Sequence, residues 1–188
     1  MSKGNQKGSS FERSICKKLS LWWTRKKRDD IFWRTSTSGA RATTRKKQNK
    51  STANSAGDIM ALDSTGEIFT KNFLIEIKRG YSQKISLLSF VDSSPKNKKP
   101  ILLQWWIKAE NEKKEHNKKY SLIIFKRDRK KTCICFDQKV FHLFFHQEFK
   151  PVATISTGKH KLIVFPFDTF LDKINSIPFK VKIKKMEL

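Results

Sequence analysis

The segment Leu74-Ile75-Glu76-Ile77-Lys78 sets an acid and a lysine two residues apart at the end of an apolar run that begins at Phe69. That apolar content predicts a strand over 69–78. Side chains alternate along a strand, so Ile75 and Ile77 share one face while Glu76 and Lys78 share the other. A charge on such a strand is costly to bury without a partner. Glu76 and Lys78 are therefore either a same-face ion pair on a solvated edge or part of a site, and the triplet alone leaves both open.

Asp58 narrows the choice. It opens a second expected strand, Asp58 to Leu62, and Ser64-Thr65-Gly66-Glu67 reads as a turn, which sets 58–62 beside 69–78 and brings Asp58 to Glu76. Two converging carboxylates with no compensating arginine repel each other unless a divalent cation lies between them. Mg²⁺ suits such a pair because it takes one or two carboxylates and completes its shell with waters and phosphate oxygens. Lys78 beside the ion is placed to orient a water, and the ion would stabilise charge developing on a phosphodiester. That is the chemistry of a nuclease.

Charge points to the same partner. The 188 residues hold 41 Lys plus Arg against 17 Asp plus Glu, a formal net charge of +24. An excess this large repels itself unless an anion neutralises it, and DNA is the expected anion. Lysine dominates the basic residues, and lysine meets phosphates as a point charge, so backbone contact with little base readout is expected. Basic clusters fall at Arg25 to Arg28, Arg45 to Lys50, Lys96 to Lys99 and Lys126 to Lys131. No apolar run reaches the ~18 residues of a membrane span. The first ten residues carry no apolar signal core, and the cysteines number three, Cys16, Cys133 and Cys135. Reduced thiols and a cytoplasmic location are the expectation, with the host cytoplasm following if the chain is phage-encoded.

Along the chain, residues 1 to 8 read as a flexible basic tail. Phe11, Ile15, Leu19, Trp22 and Trp23 then recur at helical spacing, and Ser9-x-x-Glu12 has the spacing of a capping box. Ile31-Phe32-Trp33 reads as a short buried strand. Residues 35 to 57 hold no large apolar residue, and a loop of that length is functional or disordered. This order predicts an antiparallel sheet covered by the first helix. Further on, Ile85 to Val91 and Ile101 to about His116 read as helices, and Tyr120 to Phe125 with Thr132 to Phe136 as a basic-tipped hairpin. Gln138 to Phe149, Lys161 to Phe167 and Asp168 to Ile174 follow as helix, strand and helix, and Phe179 to Lys184 as a final alternating strand.

The pattern Gly57-Asp58, then Glu76-Ile77-Lys78, resembles the PD-(D/E)xK nuclease superfamily. Lys7-Gly8-Ser9-Ser10-Phe11-Glu12-Arg13, with Arg34 and Ser38-Gly39, resembles its archaeal Holliday-junction resolvase branch over residues 7 to 80, and the whole chain resembles phage-type nucleases of the superfamily. The resemblance implies that Asp58, Glu76 and the Ile77 carbonyl hold Mg²⁺, with Mn²⁺ able to substitute, and that Lys78 positions the attacking water. It further implies that Glu12 completes the site from the first helix, through water where it reaches the metal, and that Ser38 assists from the loop. Gly57 stands where the superfamily name has proline. Glu12 also fits a purely structural role, closing the capping box with Ser9, and Ser38 is one hydroxyl among many in a polar loop.

Cys133-x-Cys135 with His142-x-x-x-His146 invites zinc, but the spacing is too short for a usual knuckle and suits a buried strand and an amphipathic helix better. Trp22, Trp23, Trp105 and Trp106 read as core and rim rather than base platforms. The expected fold is α/β, a restriction-endonuclease-like core with a mixed central sheet flanked by helices, in one domain over 1–188 with its core at 8–136 and a C-terminal elaboration at 137–188. The expected function is a metal-dependent DNA endonuclease, with branched DNA as substrate by resemblance alone. The alternatives are a restriction-type or general DNA-processing nuclease, and a non-catalytic nucleic-acid-binding protein. Expected DNA contacts are Arg34, Arg41, Arg45, Lys46, Lys47 and Arg79. No membrane partner is expected, and a homodimer is left open.

Overall fold

In the computed structural model the described residues are 3–35, 56–80, 85–86, 89, 99–145, 150–157 and 159–185. Helix α1 (Lys3–Trp23) leads into the short strands β1 (Phe32–Arg34) and β2 (Ile59–Ala61), then α2 (Ser64–Asn72) and β3 (Phe73–Arg79). Helix α3 (Ile101–Glu115) precedes the hairpin of β4 (Tyr120–Lys126) and β5 (Thr132–Asp137). Then come α4 (Gln138–Phe144), β6 (Ala153–Thr157), β7 (His160–Pro166), α5 (Phe167–Lys173) and α6 (Ser176–Lys185).

A five-stranded sheet in the order β3-β4-β5-β7-β6 forms the centre, and β1 and β2 pair as a separate antiparallel ribbon. The sheet is mixed, as expected of this fold class. Strands β3 and β4 run parallel, with Ile75 opposite Leu122, and the remaining pairs are antiparallel. The antiparallel sheet expected of the first three strands is realised only in the β1–β2 ribbon; β3 joins the five-stranded sheet instead, parallel to β4, with α3 on the long crossover that parallel neighbours need. One sheet face, carrying Ile75, Ile77, Ile124, Ile134 and Phe165, packs with α1, α2, α4, α5 and α6. On the other face Ile123, Phe125, Leu162 and Val164 meet Leu102, Trp105 and Trp106 of α3. Among the described residues no helix is long and apolar enough to cross a membrane.

Three expected elements change identity. Residues 64–67, read as a turn, begin α2: Asp63 caps the helix by accepting from the Thr65 amide at 2.9 Å, and the strand starts only at Phe73. Gly66 looked like turn chemistry, yet its role is close packing, since a Cβ there would lie 2.7 Å from Ile31 Cγ2 and 2.9 Å from Phe32 Cε1. Residues 179–184 are helical, because the alternating Phe179, Val181 and Ile183 also satisfy an i, i+4 pattern. Phe179 and Ile183 are buried, Val181 is exposed, and Asn175 Oδ1 accepts from the Ile177 amide ahead of Pro178 in the first turn. Helix α1 starts at Lys3 rather than near Phe11, so Ser9 and Glu12 lie inside it and form no capping box at its start. Strand β6 was not anticipated, and most of the expected helix over 85–91 lies outside the described residues.

Candidate active site

Strand β3 is an edge of the five-stranded sheet, and its open side receives the segment that enters β2. The Asp58 amide donates to the Ile75 carbonyl at 2.8 Å, and Asp58 Oδ2 accepts from the Ile77 amide at 2.7 Å. Asp58 is thereby fixed by backbone on one side. On the other side the Thr35 amide donates to the Asp58 carbonyl at 3.1 Å, carrying the β1–β2 pairing one residue further. Strand β2 itself pairs with β1 and not with β3, so the expected side-by-side arrangement of 58–62 and 69–78 reduces to this single junction.

Gly57 makes the junction possible. Its φ is +76°, and a Cβ would stand 2.7 Å from the Ile75 carbonyl oxygen. Proline, with φ near −65°, cannot adopt this conformation. The Gly57 amide also donates to Glu112 Oε1 at 3.1 Å, and its carbonyl accepts from Thr35 Oγ1 at 2.9 Å. A prolyl residue has no such amide. The departure from the superfamily's proline therefore has a local physical cause.

Asp58 and Glu76 are each 4% exposed. Lys78 Nζ donates to Glu76 Oε2 and lies 3.5 Å from Asp58 Oδ2. One ammonium thus faces two buried carboxylates, which leaves an excess negative charge where water is scarce. Burial, and then the neighbouring Glu76 charge, push the Asp58 carboxyl up to about 6 despite Lys78 and the Ile77 amide. Burial works against the Lys78 ammonium, but the charges of Asp58 and Glu76 outweigh it and hold the lysine above its ordinary value.

Glu12 lies close enough to add to the field on Asp58, and its own Oε2 accepts from Arg34 Nε at 2.8 Å. Cys16, one turn further along α1, feels Glu12, Arg34 and Asp58 together, and burial foremost pushes its thiol up to about 12. Arg34 is therefore engaged with Glu12. Arg79 donates to the Lys7 carbonyl at 3.3 Å, lies 5.9 Å over the Phe11 ring and approaches Asp128 at 3.6 Å. Ser38, Arg41, Arg45, Lys46 and Lys47 lie outside the described residues. Glu112 and Thr35 were not anticipated. Glu112 gives no sequence signal, because only the α3 crossover brings it to Gly57. Gln104 of α3 donates to the Lys99 carbonyl at 2.5 Å.

A protein-family model described as "Phage putative PDDEXK endonuclease" matches residues 3–184. The chain belongs to this family. Neither the curated proteins nor the solved structures yield a match. PD-(D/E)xK nucleases generally use divalent metals, and the donor set here can be tested against that. Among the described residues no three or more His, Cys, Asp or Glu side chains form a metal-binding group. The available set is two carboxylates, since Glu12 is tied to Arg34. Two carboxylates sharing one ammonium fit Mg²⁺ or Mn²⁺, which leave most of their shell to water and phosphate oxygens. The family's name makes DNA the implied substrate.

Proposed function

We propose that the chain is a divalent-metal-dependent endodeoxyribonuclease whose site is Asp58, Glu76 and Lys78, acting on DNA in the cytoplasm. The observation that carries this reading is the pairing of two buried carboxylates, one from the entry to β2 and one from β3, against a single lysine. Such a pair is expensive to maintain for stability alone, because each buried charge costs several kcal/mol in desolvation. Asp58 and Glu76 would hold the cation, with the Ile77 carbonyl as a further oxygen donor beside them. When bound, the ion supplies electrophilic stabilisation of charge developing on the phosphodiester oxygens.

The charges of Asp58 and Glu76 favour the ammonium form of Lys78, which presents N–H donors. In that form it can orient a water's oxygen and stabilise negative charge on the scissile phosphate. Asp58, held by the Ile77 amide and the β3 edge, keeps its carboxylate pointed at Lys78 without rotamer loss on binding. Glu12 with Arg34 shields the α1 side of the site, and Arg34 and Arg79 offer guanidinium groups for the DNA backbone. By resemblance Ser38 would assist the reaction, and by charge Arg41, Arg45, Lys46 and Lys47 would contact the DNA backbone. The resemblance to resolvases over residues 7–80 supports branched DNA as a substrate.

The test is cleavage of end-labelled linear, single-stranded and four-way-junction DNA of equal length, with Mg²⁺, with Mn²⁺ and with chelator. Cleavage in both metals and none in chelator is expected. Binding to all three DNAs with no cleavage in either metal would replace the nuclease with a non-catalytic DNA-binding protein.

A further inference from the structure

The β1–β2 ribbon buries Phe32 and Ile59 in the core but leaves Trp33 and Leu62 exposed. Along the chain from Asp58, alternate residues through β2 become steadily more exposed: Asp58, just before the strand, is 4% exposed, Met60 within it is half-buried and Leu62, just after it, is 57% exposed. Trp33, paired directly with Met60, is 45% exposed, where the sequence suggested a buried strand. Of the five tryptophans it is the exposed one; Trp23, Trp105 and Trp106 are buried, and Trp22 is half-buried with its indole N–H donated to the Ile174 carbonyl. Single exposed apolar residues are ordinary on any surface. Here two of them, Trp33 and Leu62, flank the half-buried Met60, and Trp33 is two residues from Thr35, the partner of Asp58, a step of ~7 Å along an extended chain.

We propose that Trp33 is a stacking platform for an unpaired nucleobase next to the phosphate being cut, so that the preferred substrates are DNAs with an unstacked base at the cleavage point: gaps, bulges, branch points or single strands. This rests on the nuclease reading of Asp58, Glu76 and Lys78 and adds to it the feature of DNA that the enzyme selects. Charge complementarity names the occupant, because a chain of net charge +24 draws polyanions to its surface and an indole face on that surface meets their bases. Every base has a π-face, so an aromatic platform binds without regard to sequence. A base inside a closed duplex has both faces covered by its neighbours, so only a base released from the stack can lie on Trp33. Arg34 is the next residue along β1, and its tie to Glu12 fixes the strand relative to α1 and so fixes where the indole stands.

The experiment uses full-length Glu76→Gln protein, in which the DNA stays intact, alone and combined with Trp33→Ala or Trp33→Phe. Tryptophan emission and affinity are measured against a closed duplex, the same duplex with a one-base gap, and a single strand. We expect emission to be quenched by the gapped and single-stranded DNA, and this quenching to disappear in Trp33→Phe while its affinity holds within about twofold. Trp33→Ala should weaken gapped and single-stranded binding by roughly 5- to 150-fold, the range given by losing one base–aromatic stack, with closed-duplex binding within about twofold. Equal weakening on all three DNAs, or quenching that survives in Trp33→Phe, overturns the proposal. Cleavage by otherwise wild-type Trp33→Ala separates the two readings. Unchanged cutting of gapped DNA refutes the platform and leaves the nuclease standing, whereas selective binding by a wild-type protein that cuts nothing refutes the nuclease and leaves the platform.

Discussion

Replacing Gly57 with alanine tests how Asp58 is held. At φ +76° an L-residue costs about 1–2 kcal/mol relative to glycine. The new Cβ would lie 2.7 Å from the Ile75 carbonyl oxygen and 3.1 Å from the Ile75 nitrogen, both backbone atoms of β3 that cannot swing aside as a side chain could. The Ile75 carbonyl accepts from the Asp58 amide, so moving it strains that hydrogen bond, worth about 1 kcal/mol. With the contact itself, the sum is roughly 2–4 kcal/mol, which for a chain of this size lowers the melting midpoint by roughly 4–16 °C. Cleavage should fall further than stability, because a displacement near 1 Å at the reacting centre can cost ~100-fold. Gly66→Ala is the control. It meets the Ile31 and Phe32 side chains and not the Ile75 backbone, so it should destabilise through overpacking by about 1–3 kcal/mol while activity per folded molecule persists. Both variants would be melted by circular dichroism and assayed well below their midpoints. A Gly57→Ala protein that melts and cuts like wild type would refute this account of the junction.

Metal-free stability should fall as pH rises from near 4 to about 6. In that window the folded chain keeps a proton on Asp58 that the unfolded chain, titrating near 3.8, has lost; Asp58→Asn should lack this slope in pH-dependent urea unfolding, and an identical slope would contradict it. Lys78→Ala leaves the two buried carboxylates without their cation and should cost about 3–5 kcal/mol in chelator, with part of the midpoint recovered by Mn²⁺ in the same melt; no recovery would count against a metal seat at the pair. Gly8→Ala lies inside α1, where a Cβ meets nothing within 4 Å, and should stabilise by about 0.5–1 kcal/mol in urea unfolding; destabilisation would contradict the helix there. DNA affinity should fall steeply with salt and vary little among unrelated duplexes, as a filter-binding titration would show.

The chemistry-bearing residues were more legible than the frame that presents them. Glu76 and Lys78 could be placed on one strand face because alternation is a local rule, and the β4–β5 hairpin followed from two apolar runs and a basic turn. Gly66 misled because glycine marks a turn only where nothing crowds it, and the crowding comes from Ile31 and Phe32, more than thirty residues earlier. The Phe179–Ile183 run misled because a period of two and an i, i+4 pair coincide over so few residues. Trp33 looked buried beside Ile31 and Phe32, and only the way the ribbon leaves the sheet edge uncovers it. Gly57 showed in the sequence as a departure from proline, but its cause, the Ile75 carbonyl, emerged only from the packing of the β2 entry on β3.

The central claim is that Asp58, Glu76 and Lys78 form a metal-dependent phosphodiesterase site. It is tested most directly by cleavage of labelled DNA in Mg²⁺ and Mn²⁺ by wild type beside Glu76→Gln, which keeps the side chain's size and removes its charge. The account predicts cutting by wild type that chelator abolishes and none by Glu76→Gln, with DNA binding retained in both. Cutting by Glu76→Gln at the wild-type rate would contradict it.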